Sequence, residues 1–216
     1  MTIEDKAKLL VDYIKSLPDF KIIGPDIPYC HMGATITDAM LQAGTRWETV
    51  VKPRVLKLRD NYPGAKTTTG FLNLLEKIGP RELLEWNDPE KPNRVLGVTR
   101  FFVKEGIETE ADLKTWLENG SNITRLKELR GIGNKTADYF KMLSGIPTSA
   151  VDRHLIEFLN KAGVSTISYS EAKEIINKAA ELMRINKSVL DHSIWKYMSS
   201  GRGSKLCRRS TADNTA

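Results

Sequence analysis

Apolar residues recur at three- and four-residue intervals along nearly the whole chain, and that pattern restricts it to packed helices. Residues 3–17 already show it, with Leu9, Leu10, Tyr13, Ile14 and Leu17 on one stripe and Pro18 helping to end the helix. Residues 18–36 read as loop, broken by Gly24-Pro25-Asp26 and Ile27-Pro28. Thr37 is expected to N-cap a helix over 38–43. Further helices are predicted over 47–61, 69–78, 81–86, 93–105, 110–118, 123–129, 135–144, 151–161, 170–183 and 187–198. No stretch alternates apolar and polar residues as a half-buried strand does, and no internal repeat stands out. The expected fold is all-α, with many short helices joined by short loops.

At 216 residues the chain suits one large domain or two small ones. Its 40% apolar and 28% charged residues exclude a disordered chain. No apolar run approaches the roughly 18 residues of a membrane span, so no membrane partner is expected. The opening Met1-Thr2-Ile3-Glu4-Asp5-Lys6 is acidic and mixed, unlike a signal peptide. Two cysteines, Cys30 and Cys207, cannot build a disulfide framework or a four-cysteine metal site. A reducing compartment, cytoplasmic or nucleoid-associated, is expected. Lys and Arg outnumber Asp and Glu by 33 to 27, a net charge of +6. Much of that excess gathers near the end, where Lys196, Arg202, Lys205, Arg208 and Arg209 face one acid, Asp213. A basic excess suits an anionic partner such as nucleic acid, and it equally suits a solvated tail.

The most informative stretch is Leu126-Lys127-Glu128-Leu129-Arg130-Gly131-Ile132-Gly133-Asn134-Lys135-Thr136-Ala137. It predicts two helices joined by a turn in which two glycines flank one apolar residue. Glycine permits φ > 0 and close backbone approach. Ile132 can point inward while the neighbouring N–H groups open the next helix, forming an anion site suited to a phosphate. Lys127, Arg130 and Lys135 surround that site with positive charge. A glycine-rich turn that only joins two helices would read the same way.

The hairpin is followed by Gly145-Ile146-Pro147 and then Ala150-Val151-Asp152-Arg153-His154. This order resembles the helix-hairpin-helix DNA glycosylase superfamily, in particular its endonuclease III branch. There a lysine directly follows the Gly-x-Gly-x segment and a Val-Asp-x-His comes next. Asp191-His192-x-x-Trp195 is similar to that family's last core helix. The match is specific over residues 121–160, looser over 37–120 and 187–203, and silent on 1–36.

The resemblance implies a two-lobed all-α fold with the active site in the cleft between lobes. One lobe is expected over 37–147; the other joins 1–36 to 148–216. It implies a base-excision enzyme acting on double-stranded DNA that holds a damaged or mismatched base, as a monomer. Asp152 and Lys135 are the implied catalytic pair. Breaking an N-glycosidic bond builds positive charge on the deoxyribose, which a carboxylate stabilises. Asp152 sits at a predicted helix start, where the dipole favours its ionised form, although any first-turn acid would sit there too. Lys135 falls in the first turn of a helix beside Lys127 and Arg130, and these, with partial burial, lower an amine's pKa as a nucleophile requires. A Schiff base would then allow β-elimination and strand nicking. The alternatives are a phosphate-contacting lysine in a monofunctional glycosylase and a non-catalytic DNA-binding hairpin.

Flipping a base leaves a gap that an inserted side chain fills. The segment Met40-Leu41-Gln42-Ala43-Gly44-Thr45-Arg46-Trp47 is where the resemblance implies such a wedge. Gln42 and Arg46 are the candidates, and Trp47 and His154 are candidates for the base pocket or, as readily, for packing. Aligning on Thr45 puts Ala43 at the family's glutamine, a departure from the pattern. Endonuclease III relatives commonly end in a four-cysteine iron–sulfur cluster. Only Cys207 lies in that region here, so no cluster and no other cofactor is expected.

Overall fold

The computed structural model describes residues 1–200, and among these every regular element is helical. In chain order they are α1 (Ile3–Ser16), α2 (Met32–Leu41), α3 (Lys52–Asn61), α4 (Thr68–Ile78), α5 (Pro80–Leu83), α6 (Glu90–Lys104), α7 (Glu110–Leu117), α8 (Gly120–Lys127), α9 (Asn134–Leu143), α10 (Arg153–Lys161), α11 (Tyr169–Leu182) and α12 (Lys187–Ser199). A π-helical turn, Trp47–Val51, leads into α3, and a 3-10 turn, Pro63–Lys66, follows it. None of the helices among the described residues is long and apolar enough to cross a membrane. Of the basic tail, Arg202, Lys205, Arg208 and Arg209 lie outside the described residues, as does Cys207.

The chain divides into two units. One combines Met1–Pro25 with the chain from Pro147 onward and holds α1 and α10–α12. Most of the α1 stripe that the sequence predicts is buried there against α11, with Leu10 at 0% and Ile14 at 5% exposure, but Leu9 is exposed at 41% and Ala7 and Val11 complete the buried face instead. Phe158 of α10 anchors this core, with the rings of Tyr13 and Phe20 at 5.2 and 5.7 Å. A ring so buried contributes about 2 kcal/mol relative to an exposed one.

The other unit spans Asp26–Ile146 and holds α2–α9. Helix α2 runs through its middle, packed by α3, α6 and α9, and all ten of its residues are buried. Here the structure corrects the sequence expectation. The helix begins at Met32, not Asp38, and its N-cap is His31, whose Nδ1 accepts the N–H of Ala34 at 3.1 Å. Thr37 is a mid-helix residue. A helix buried on every face carries no amphipathic period, so nothing in the spacing of Met32-Gly33-Ala34-Thr35-Ile36 marks it as helical. The carboxylate of Glu110 fixes the entry to this helix, accepting the N–H groups of Cys30 and His31 and the hydroxyl of Thr35.

Candidate functional site

The turn between α8 and α9 has the build expected of it at one glycine and a different one at the other. Gly131 adopts φ +90°, and a Cβ there would lie 2.8 Å from Cδ of Arg94. Gly133 is an extended N-cap with φ −99°, and a Cβ there would meet no atom within 4 Å. Its lack of a side chain therefore answers neither backbone strain nor crowding within the protein. Ile132 points inward and is 4% exposed. The N-cap of α9 is a glycine, so it offers no side chain to accept the first-turn N–H groups. Lys127 donates to Oδ1 of Asn134 at 2.9 Å. Arg130 and Arg94 both donate to one oxygen of Glu90, at 2.8 and 2.6 Å, so the positive charge at the turn is partly balanced.

Lys135, on the first turn of α9, turns toward the end of α2. Its Nζ donates to Oε1 of Gln42 and sits 4.7 Å from the ring centroid of Tyr139. Beneath this pair is a residue that the sequence reading passed over. Asp38 of α2 is fully buried, at 0% exposure. Its Oδ2 accepts the hydroxyls of Tyr29 at 2.8 Å and Tyr139 at 2.9 Å. Its Oδ1 accepts the indole N–H of Trp47 at 2.9 Å and, more weakly, the amide of Gln42 at 3.5 Å. Burial pushes the Asp38 carboxyl above its usual range, while these donors and the nearby Lys135 charge pull it down. Both tyrosines are pushed up by burial and by the Asp38 charge.

Three elements deliver these partners, and each has a local cause. Tyr29 precedes the His31 cap that Glu110 anchors. Trp47 begins the π-helical turn, with Lys52 5.2 Å from its ring. Tyr139 lies one turn beyond Lys135 on α9 and therefore shares its face. Lys91 of α6 clasps the connecting loop, donating to the carbonyls of Leu41 at 2.8 Å and Ala43 at 2.5 Å and to the Thr45 hydroxyl at 2.5 Å. An ammonium at the C-terminus of α2 also meets the negative end of the helix dipole.

The structure thus brings Gln42, Trp47 and Lys135 together around Asp38. Arg46 is exposed at the head of the π-helical turn. Asp152 and His154 belong to the other unit, where Asp152 is the N-cap of α10. Its Oδ1 accepts the N–H groups of His154 at 2.8 Å and Leu155 at 3.1 Å. His31 is buried as the α2 cap with Nε2 3.1 Å from the Tyr62 carbonyl, and burial lowers its pKa. Tyr139 donates its hydroxyl to Asp38 as well as packing in α9. The signal that could have found this cluster was weak: an acid in an otherwise apolar segment, Ile36-Thr37-Asp38-Ala39-Met40-Leu41. Among the described residues no group of three or more His, Cys, Asp or Glu side chains could hold a metal ion.

Comparison with known proteins adds a family and a fold. A family model described as "Domain of unknown function (DUF8548)" matches residues 10–199. No curated protein matches the chain. Among solved structures, the H. pylori 3-methyladenine DNA glycosylase, in its complex with 1,N6-ethenoadenine, superposes with a TM-score of 0.60 at 17% identity, covering 95% of this chain and 99% of that one. The all-helical fold is that of a DNA glycosylase.

Proposed function

The chain belongs to the DUF8548 family, and on that footing we propose that it is a base-excision DNA glycosylase with AP lyase activity, of the endonuclease III-like type without an iron–sulfur cluster. Its substrate is double-stranded DNA carrying a damaged or mismatched base, and it works without a cofactor. The observation that carries this reading is the amine of Lys135, held by Gln42 over Tyr139 directly after a phosphate-shaped hairpin. Likeness of fold to a glycosylase bound to a modified adenine supports the glycosylase part of this reading; the lyase part rests on Lys135.

In the lyase reaction the Nζ lone pair of Lys135 bonds to C1′ as the C1′–N bond breaks. That bond's electron pair leaves with the base, which takes up a proton. The attached nitrogen gives up a proton and O4′ takes one as the C1′–O4′ bond opens to the iminium, and loss of a C2′ proton then expels the 3′-phosphate. Asp152 stabilises the cationic sugar as the base departs. Lys127, Arg130 and the uncapped N–H groups of α9 bind the backbone phosphates beside the lesion.

A second reading is favoured by Asp38. A buried carboxylate close to Lys135 favours the charged ammonium, which suits a fixed cation in a monofunctional glycosylase better than a nucleophile. Single-lesion duplexes assayed for base release and for nicking separate the two. Borohydride should trap a covalent adduct with the wild type and none with Lys135→Ala. Base release without nicking or trapping on any lesion would leave the monofunctional reading standing.

A further inference from the structure

Building on Lys135 as the functional amine of this site, we propose that Asp38 is a positioning residue that fixes the place and the charge of Lys135 through the amide of Gln42. A side-chain amide has an acceptor end and a donor end, and its neighbours decide which way it faces. An ionised carboxylate only accepts. Asp38 therefore draws the Gln42 Nε2 toward its Oδ1, at 3.5 Å, and this turns Oε1 outward to the Lys135 amine. The four donors on Asp38 come from Tyr29, Gln42, Trp47 and Tyr139, two to each oxygen. They occupy the acceptor sites of the carboxylate and support its ionised form against the burial that raises its pKa. None of these four donors is a cation; the charge of Lys135, reached through Gln42, also acts on Asp38.

The titratable and charged groups that face this cluster are few. Tyr29 comes from the segment before α2 and senses Asp26 and, from α3, Arg59. Tyr139 and Lys135 come from α9. From α6, Lys91 faces the end of α2 at the carbonyls of Leu41 and Ala43. Asp38 is the acid that these donors contact directly, and the Lys135 charge acts on it.

The test reads Lys135 in the free protein, so it does not depend on activity. Reductive methylation across a pH series, followed by mass spectrometry of the Lys135 peptide, gives the midpoint at which the amine becomes reactive. Asp38→Asn should move that midpoint down by at least about half a pH unit, because the ammonium loses its counter-charge and the amide its orientation. Tyr139→Phe keeps the ring beneath the amine but strips one donor from Asp38; it should move the midpoint up, since a less compensated carboxylate holds the ammonium harder. If Asp38→Asn fails to fold, the second variant still decides. An unchanged midpoint in either folded variant, as a purely structural role for Asp38 requires, overturns the proposal. Adduct trapping on an abasic duplex should shift its pH profile in parallel. Shifted labelling with no trapping in any protein would remove the lyase reading and leave Asp38 as the group that positions a fixed cation.

Discussion

Asp38 and Asp152 are two carboxylates held in opposite ways. Asp152 caps a helix and is gripped by two backbone N–H groups, His154 and Leu155, close in sequence. Asp38 is buried inside a helix and gripped by side chains that are 9 and 101 positions away, at Tyr29 and Trp47 on the one hand and Tyr139 on the other. A backbone grip costs little and tolerates exposure, because the helix supplies its own donors. A side-chain grip in the interior ties together segments far apart in sequence, and every partner removed leaves a buried polar group unpaired. The first arrangement leaves a carboxylate available for chemistry; the second uses one to organise what surrounds it.

The sharpest way to break this contrast is Asp152→Asn. Asparagine is as good an N-cap as aspartate, so the melting temperature should hardly move. Single-turnover base release should fall on the order of 10²- to 10³-fold, while binding to the same duplex persists. Full activity in this variant would strip Asp152 of its proposed role and leave it a cap alone.

Asp38→Ala should do the reverse and act on stability first. It orphans two tyrosine hydroxyls and an indole N–H, and a loss of about 3 kcal/mol in denaturant unfolding is expected. Its pH dependence carries a sign. The folded carboxyl titrates above its ordinary value because of burial, so the folded state binds the proton more tightly than the unfolded chain. The stability this group contributes is complete below the unfolded pKa and is lost as pH rises through the folded one. Wild-type stability should therefore fall over that window relative to the isosteric Asp38→Asn, and parallel curves for the two would contradict the assignment.

The two glycines of the hairpin offer a finer version of the same comparison. Gly131→Ala meets φ +90° and the Arg94 side chain, and should cost about 1–2 kcal/mol. Gly133→Ala meets neither, and thermal unfolding should change within about 0.5 kcal/mol. Its effect should appear instead in DNA affinity, where an added methyl faces the N–H groups of α9. Equal destabilisation by both substitutions would mean that the turn needs its glycines for folding alone.

Much of the fold is legible in the sequence because it lies at the surface of each unit. Helices α1, α10 and α11 bury one face and expose the other, so their period survives. Helix α2 does not, since all its faces are buried, and the loop expected over 18–36 hides its first half. The hairpin and Asp152 were visible because their residues are contiguous and the glycines punctuate them. The Asp38 cluster was not, because its partners come from a loop, a π-helical turn and a distant helix, and no local spacing records that they meet. The sequence marks Gln42 as a wedge candidate and Trp47 as a candidate for the base pocket or for packing; the amide and the indole in fact turn toward the same buried acid.

The π-helical turn at Trp47–Val51 carries one more residue per turn than the helix it feeds, with Lys52 N–H reaching back five positions to the Trp47 carbonyl. Its geometry behaves like an insertion that the chain has absorbed. Deleting one residue from this stretch would let α3 extend smoothly backward as ordinary α-helix, yet it would also rotate everything before it by about 100°. The indole would swing off Asp38 while the helix itself gained regularity. Length, at this one point, is a specificity determinant in its own right, and homologous chains with a shorter segment here should be expected to lack the buried acid as well.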